Sequence, residues 1–292
     1  MSKNIYAVMG ASGNIGKVVT EELLKSGHFV MAITRDAKKL TDLQAKGAKV
    51  VICALDNAAT LEKTFVGVAG VFALIPPAYS EDDYGAYQDR CGQATVTALK
   101  KARVPYVVNL SSIGAHLPEG TGPIKGLYRQ EQRLNALTET NVLHLRPSYF
   151  MENQLHGIPI IKQHGVNSSP LNADAPIPMI ATRDIGLKAA EILNKLNFKG
   201  KQVVELIGPK AITLNEVTAI LGAAIGKPDL RYVQASYEDA KQAMLGSGMK
   251  PGLVDLMLEM NRAFNEGKVL PTQKLIRGRT TVEKFAEIYK SN

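Results

Sequence analysis

A glycine motif near the N-terminus constrains the fold of this chain more than any other feature. Gly10, Gly13 and Gly16 lie between a short apolar run at residues 5–9 and an amphipathic segment at residues 15–26. In a strand–turn–helix unit, the first glycine permits a sharp turn, the second lets backbone amides approach a pyrophosphate, and the third allows close helix–strand packing. The helix N-terminus also attracts anions. The motif therefore predicts a dinucleotide-binding unit, and a tight turn without a ligand is the alternative.

Apolar runs and amphipathic segments alternate along the first half of the chain. Further strands are predicted at residues 29–34, 49–54, 70–75, 106–111 and 142–145, and further helices at residues 37–46, 57–65, 81–102 and 125–139. Such alternation implies right-handed βαβ crossovers and a mostly parallel sheet covered on both faces. The predicted fold class is α/β, a Rossmann-like doubly wound parallel sheet with a smaller C-terminal α/β lobe.

The alternation loosens after Arg146-Pro147. The chain has 292 residues, which at about 150 residues per domain indicates two domains. We predict a dinucleotide-binding domain at residues 1–150 and a smaller substrate-binding lobe at residues 151–292. A strand predicted at residues 202–207 is expected to join the first sheet, and the remaining predicted helices lie at residues 214–225, 237–245, 253–264 and 282–289.

Composition and charge exclude several classes of protein. The net charge of +8 is spread evenly, with 17 Lys and Arg against 13 Asp and Glu in the first 150 residues and 18 against 14 in the rest, which argues against direct nucleic-acid binding. The longest uncharged run, Thr64 to Ser80, contains glycines and prolines, so no membrane span is predicted. The N-terminus has no room for a signal peptide, and we expect a cytoplasmic protein. The two cysteines and five histidines lack ligand spacing, so no metal site is predicted.

The end of the second predicted strand indicates which dinucleotide binds. Proteins that bind NAD place an acidic residue there, whereas this chain has Thr34-Arg35. An arginine can hold the 2′-phosphate of NADP with paired charge-assisted hydrogen bonds, and Lys38 and Lys39 add positive field. NADP(H) is therefore favoured over NAD(H). Asp36 keeps NAD binding open, and the alternative is that Arg35 to Lys39 are only the solvated start of a helix, with Asp36 as its N-cap.

Other predicted cofactor contacts follow later strands, at the edge of the sheet where ligands bind. Asp56 could accept a hydrogen bond from the adenine amino group or cap the next helix. Residues 74–76 are expected near the nicotinamide ribose, and Ser111 near the nicotinamide. The full predicted set is Gly10, Ser12, Gly13, Asn14, Ile15, Gly16, Thr34, Arg35, Lys38, Asp56, Leu74, Ile75, Pro76 and Ser111.

Over nearly its whole length the chain resembles the NmrA-like family of atypical short-chain dehydrogenase/reductases. The resemblance is carried by the glycine motif, Thr34-Arg35, Asp56, residues 109–115, Glu131 with Leu134, and residues 145–153. It implies a Rossmann-like domain that binds NADP(H) and a C-terminal lobe that closes a substrate cleft. The family includes NAD(P)H quinone reductases and NADPH-sensing regulators.

The chain lacks the Tyr-x-x-x-Lys pair with which standard short-chain dehydrogenases move a proton. If Glu131 aligns with the acidic residue that follows this pair in the resemblance, Pro123 and Leu127 stand at the two positions. Neither can exchange a proton. Tyr128 and Lys125 are the nearest substitutes, and the alternative for Tyr128 is a half-buried ring on a helix.

Loss of the pair disfavours alcohol oxidation but not quinone reduction, because the product oxygens can take protons from water. We predict hydride transfer from NADPH to a quinone or a similar small electrophile. The alternative is a non-catalytic NADPH sensor that acts through a protein partner, and sugar-nucleotide epimerisation ranks below both because it depends on the missing pair. Candidates to line the substrate cleft are Tyr79, Tyr149, Phe150 and Asn153.

Overall fold

The computed structural model describes residues 3–290. The strands are β1 (Ile5–Val8), β2 (Phe29–Thr34), β3 (Lys49–Ile52), β4 (Gly70–Ala73), β5 (Tyr106–Leu110), β6 (Asn141–Pro147), β7 (Tyr149–Phe150), β8 (Val166–Ser169), β9 (Ile177–Ile180), β10 (Lys201–Ile207), β11 (Ala211–Ile212), β12 (Arg231–Gln234) and β13 (Leu275–Arg277). The α-helices are α1 (Asn14–Lys25), α2 (Thr41–Ala45), α3 (Ala58–Phe65), α4 (Tyr84–Lys101), α5 (Ile124–Asn135), α6 (Ile158–His164), α7 (Thr182–Lys195), α8 (Leu214–Ala224), α9 (Tyr237–Gly246), α10 (Pro251–Asn265) and α11 (Val282–Tyr289). Two 3-10 segments lie at Ala37–Leu40 and Met151–Gly157.

The central sheet has eight strands in the order β13-β10-β6-β5-β4-β1-β2-β3. All neighbouring strands in it are parallel, so the predicted Rossmann-like fold is confirmed. The chain runs outward from β1 to β3 and then returns to place β4 on the other side of β1. In such sheets the ligand crevice lies outside the carboxyl ends of the strands at this point of reversal.

The two faces of the sheet are covered because side chains alternate along each strand. In β1, Tyr6 and Val8 are buried in the core that includes residues of α1 and α7. Ala7 and Met9 are buried in the opposite core with residues of α3 and α4. This alternation without polar positions is typical of a parallel strand buried on both faces.

Helix α7 was not predicted, although it covers one face of the sheet. It packs on α1 so closely that a Cβ on Gly186 would lie 2.6 Å from the Cβ of Val18. The signal was present in the sequence, because Ile185, Ala189 and Leu193 recur at four-residue intervals and each is 0% exposed. The prolines at 170, 176 and 178 precede this segment and indicated irregular structure there, so the helical period was missed.

The C-terminal half contributes to both parts of the molecule. Strands β10 and β13 extend the central sheet beyond β6, whereas β7, β9 and β11 form a separate three-stranded sheet and β8 pairs with β12. The smaller lobe has its own core, in which Met151, Leu221 and Phe285 are buried. The division at residue 150 stays a prediction. Within residues 3–290, none of the helices has the length and apolarity needed to cross a membrane.

Several predicted element bounds were too long. The helix predicted at 81–102 begins only at Tyr84, because the side chain of Asp83 accepts a hydrogen bond from the Ala86 amide and caps the helix there. Helix α5 ends at Asn135 rather than at residue 139, with Ala136 as its C-cap. Strand β4 ends at Ala73, two residues early. All three differences lie at element ends, and a capping side chain explains the one at the start of α4.

His144 on β6 is buried between two amide side chains. Its Nδ1 lies 3.2 Å from Asn109 Nδ2, and its Nε2 lies 2.9 Å from Asn135 Oδ1. This pairing fits a neutral ring that donates through Nε2 and accepts at Nδ1. Burial lowers the pKa of His144 to about 4.

Acidification is expected to destabilise the protein through His144. The unfolded chain takes up the proton near pH 6.5 whereas the folded protein resists it until about pH 4, so the free energy of unfolding should fall by about 2 kcal/mol between pH 7 and pH 5 from this group. Urea unfolding of His144→Gln at both pH values should show a correspondingly smaller fall, and the exposed His164→Gln is the control. An unaltered pH dependence in His144→Gln would contradict this role.

Candidate functional site

The glycine motif forms the turn between β1 and α1 at the point of chain reversal. Gly10 has φ +64°, and a Cβ on it would lie 3.0 Å from the side chain of Leu74, which follows β4. A Cβ on Gly16 would lie only 2.2 Å from the Gly10 carbonyl oxygen. Glycine is therefore required at both positions by the backbone conformation and by close packing.

Gly13 differs from the other two glycines. Its φ of −87° and ψ of 166° are accessible to any residue, and the nearest atom to a Cβ there is the Gly10 carbonyl oxygen at 3.4 Å, an ordinary contact. Ser12, Gly13 and Asn14 are all exposed. Neither the turn nor the packing of the described residues therefore requires glycine at position 13.

The N-terminus of α1 is open to an anion. Its N-cap is Gly13, no side chain caps it, and its first turn has no acidic residue. The first amides of a helix have no partner within the helix and carry partial positive charge. Ser12 Oγ lies 3.1 Å from Thr34 Oγ1, which ties this loop to the carboxyl end of β2.

Arg35 and Asp36 follow β2 and have different environments. Asp36 Oδ1 accepts a hydrogen bond from the Lys38 amide at 3.0 Å and caps the 3-10 turn, so Asp36 does fill the capping role left open above. Arg35 is exposed and, among the described residues, has no hydrogen bond or salt bridge. It lies near Tyr87 of α4, where burial and Cys91 raise the pKa of the Tyr87 hydroxyl and the Arg35 charge opposes the rise.

Asp56 lies after β3, next to the N-terminus of α3. The capping alternative for it is wrong, because Asn57 is the N-cap and its Oδ1 accepts from the Thr60 amide at 3.0 Å. The Asp56 side chain is exposed. Burial raises the pKa of Cys53, and the Asp56 charge raises it further. Asp56 stays a predicted adenine contact.

Leu74, Ile75 and Pro76 leave the end of β4 half-buried. Leu74 packs against both cores of the sheet. Its side chain also fills the position next to Gly10 that a Cβ would need. Tyr79, further along the same segment, is 50% exposed. Leu74 lies at the carboxyl edge of the sheet beside the glycine turn, and the contacts of all four residues with a ligand remain predictions.

Ser111 begins a buried polar network that the sequence analysis did not predict as a whole. Its Oγ donates to Glu131 Oε1 at 2.5 Å. Arg146 donates to both oxygens of Glu131, from Nε at 2.9 Å and from Nη2 at 2.6 Å, and its Nη1 lies 3.8 Å from Glu205 Oε1. The hydroxyl hydrogen of Ser111 is therefore directed to Glu131, which leaves its lone pairs for any hydrogen bond to a ligand.

Lys125 and Tyr128, the proposed acid–base substitutes, lie three residues apart on α5, and no hydrogen bond joins them among the described residues. Lys125 Nζ lies 3.7 Å from Glu259 Oε2 of α10. Tyr128 is half-buried on α5 and has no hydrogen-bond partner among the described residues. The half-buried position matches the alternative considered for Tyr128. Among residues 3–290, no group of His, Cys, Asp or Glu side chains has the arrangement to hold a metal ion.

The side chains of Tyr149 and Asn153 are hydrogen-bonded to each other, whereas the side chain of Phe150 packs elsewhere. Burial raises the pKa of the Tyr149 hydroxyl to about 12, and a hydrogen bond with Asn153 opposes the rise. The Tyr149 ring meets Phe264 edge-on, with centroids 5.9 Å apart. Phe150 instead packs against the core of the central sheet. Phe264 was not predicted as a site residue, because only the folded chain brings α10 to β7.

The chain belongs to the NmrA-like family, whose model matches residues 1–286, so the resemblance drawn from the sequence is confirmed. Among curated relatives, NAD(P)H azoreductase from Xenophilus azovorans is 32% identical over 290 residues, which cover 98% of this chain and 96% of that protein.

Solved structures share the fold over the full length. An NADPH-dependent quinone oxidoreductase from Escherichia coli has a TM-score of 0.78 at 25% identity, covering 97% of this chain and 98% of that one. The negative transcriptional regulator NmrA, solved in complex with NAD, has a TM-score of 0.71 at 17% identity, covering 100% and 92%. NmrA has also been solved with NADP. At this identity the likeness to NmrA shows the fold alone.

Proposed function

We propose that this chain is an NADPH-dependent reductase that transfers hydride to quinones or similar small electrophiles. The observation that carries cofactor binding, on which the proposal depends, is the contrast between Gly13 and the other two glycines, and the relatives named as reductases support the reaction. The fold requires Gly10 and Gly16, whereas a Cβ on Gly13 would meet only one atom, at 3.4 Å. A pyrophosphate lying against Gly13, at the uncapped N-terminus of α1, accounts for the missing side chain.

A nicotinamide dinucleotide is the cofactor class that fits this loop, and relatives with the same fold are named for NAD(P)H or NADPH. The preference for NADPH is the finer part of the proposal. Arg35 has no partner within the described chain, so its guanidinium is free to bind a 2′-phosphate. Asp36, which could favour NAD, accepts a hydrogen bond from the Lys38 amide through Oδ1, and this capping role explains its presence without a ribose contact.

The reaction suits a site without a tyrosine–lysine pair. When bound, the cofactor supplies the hydride, which is two electrons and one proton, and water supplies the second proton that completes the hydroquinone. The protein must hold the acceptor ring beside the nicotinamide. We assign Ser111 to the nicotinamide side, and Tyr149 with Asn153 to the acceptor side.

Turnover in a panel of acceptors tests this proposal. NADPH oxidation, followed by loss of reduced-nicotinamide absorbance, is expected with small quinones such as menadione and, by analogy with the azoreductase, with azo dyes. NADH in parallel should be oxidised at a lower kcat/KM. Tight NADPH binding without oxidation by any acceptor would contradict a reductase and would favour the sensor alternative.

The double variant Lys125→Met/Tyr128→Phe should retain quinone reduction to within about threefold, because neither side chain is needed as a proton donor. A general acid contributes on the order of 100-fold or more, so the two cases are separable. The variant is assayed with menadione at saturating NADPH, after circular dichroism has shown that it is folded. A folded variant that loses activity by about 100-fold would show that this pair replaces the missing one.

A further inference from the structure

A buried polar chain connects the candidate nicotinamide side to the loop that precedes β13. Ser111, Glu131, Arg146 and Glu205 are each at most 5% exposed. They come from the end of β5, α5, β6 and β10, and they are joined by the contacts described above. The proposed function uses Ser111 alone, which leaves the purpose of the far end of the chain, at Glu205, unexplained.

Glu205 lies on β10 between two parallel neighbours, paired in register with Arg146 of β6 and with Leu275 of β13. It is 0% exposed. Its Oε2 accepts hydrogen bonds from the backbone amides of Thr272 at 2.6 Å and Gln273 at 2.9 Å. The Thr272 hydroxyl also donates to Oε1 at 3.3 Å. Arg146 spends two hydrogen bonds on Glu131 and only its Nη1 approaches Glu205, at 3.8 Å, so the carboxylate of Glu205 is compensated in the core mainly by these three donors of the loop.

The loop that Glu205 holds, residues 266–274, follows α10, the helix that brings Phe264 to Tyr149 of the candidate acceptor site. The side chain of Val269 lies 3.0 Å from where a Cβ on Gly114 would stand, so the loop packs on the segment that follows Ser111. Leu270, which is 53% exposed, lines a surface hollow together with Phe264. Phe264 is the ring that meets Tyr149.

We propose that Glu205 is a positioning residue for the acceptor. By accepting hydrogen bonds from two consecutive amides, it fixes the loop 266–274 so that Leu270 stands beside Phe264 of α10, and the two form an apolar wall next to Tyr149 that suits a flat apolar ring such as that of a quinone. The proposal rests on the proposed function and adds to it the residue that sets the shape of the acceptor site.

Glu205→Gln tests this, with Asp184→Asn as a matched control. Asp184 of α7 also accepts hydrogen bonds from two consecutive backbone amides, those of Arg279 at 2.7 Å and Thr280 at 2.8 Å. These amides belong to the loop after β13, and Asp184 has no link to Ser111. In Glu205→Gln, hydrogen exchange at Thr272 and Gln273 should be about tenfold faster or more, and in Asp184→Asn only exchange at Arg279 and Thr280 should change.

The functional measurement is the Kd of menadione for protein saturated with NADP⁺, obtained by titration calorimetry. In Glu205→Gln we expect this Kd and the KM of menadione to rise about fivefold, while the Kd of NADP⁺ and kcat stay within about twofold. Asp184→Asn should leave all four unchanged. If Glu205→Gln does not fold, Thr272→Pro removes, from outside the core, both the Thr272 amide and the Thr272 hydroxyl that donate to Glu205, and it should raise the menadione Kd in the same way.

The outcomes separate this proposal from the one on which it rests. Unchanged menadione affinity in a folded Glu205→Gln variant whose loop exchanges faster would overturn the positioning role alone. Unchanged exchange at Thr272 and Gln273 would overturn it as well. If the protein without substitutions neither binds nor reduces menadione, the proposed function is contradicted, and the positioning role of Glu205 that rests on it is contradicted as well.

Discussion

Gly13→Val is expected to abolish NADPH binding and leave the protein folded. The valine side chain would enter the space that we assign to the pyrophosphate, while its Cβ would meet only the Gly10 carbonyl oxygen, at 3.4 Å. The backbone at this position suits a β-branched residue. We expect the Kd of NADPH to rise by about 100-fold or more, which equals about 2.7 kcal/mol.

Gly16→Ala is the matched comparison for this variant. A Cβ there would lie 2.2 Å from the Gly10 carbonyl oxygen, so the turn or α1 must shift and the free energy of unfolding should fall. Calorimetric titration with NADPH and thermal unfolding, applied to both variants, separate the two effects. A folded Gly13→Val protein with unchanged NADPH affinity would remove the loop from the proposed binding site.

Arg35→Ala is expected to weaken NADPH binding by about 1.5–3 kcal/mol, the range for hydrogen bonds between charged groups. NADH lacks the 2′-phosphate, so its affinity should barely change. The exposed Arg35 side chain makes no hydrogen bond or salt bridge with the described residues, and its removal should leave the melting temperature unaltered.

Lys39→Ala provides the control for net charge, because Lys39 is also exposed and lies in the same segment. Its loss should weaken NADPH binding much less than loss of Arg35, since a lysine acts there through its field alone. The Kd values of NADPH and NADH are measured for the three proteins at one ionic strength. Equal losses for both cofactors in Arg35→Ala would refute Arg35 as the group that binds the 2′-phosphate.

The first half of the fold was predictable because its signals are local. Each strand there is a compact apolar run, each helix has its own apolar period, and the glycine motif places the turn between β1 and α1. In the second half, α7 carries a period of the same kind at Ile185, Ala189 and Leu193 but lies between proline-rich and irregular segments. The edge strand β13 spans only Leu275–Arg277, which is too short to give a periodic signal.

The site shows the same division between local and distant features. Arg35 and the glycines could be placed from sequence because they belong to one βαβ unit. The pairing of Arg146 with Glu205, by contrast, depends on β10 returning beside β6, and no spacing along the chain encodes it. Adjacent capping residues were ambiguous for a different reason, since Asp56 and Asn57 are both good N-cap residues and only the backbone geometry shows that Asn57 is the cap.

A single-turnover reaction between NADPH and menadione in the absence of oxygen tests the central claim most directly. Protein carrying NADPH is mixed with menadione, and the reduced cofactor and the hydroquinone are followed together. We predict that one hydroquinone appears for each NADPH consumed, and that deuterium on the transferred position of the nicotinamide slows both changes equally. Bound NADPH that persists in the presence of menadione would contradict the assignment of this chain as a reductase.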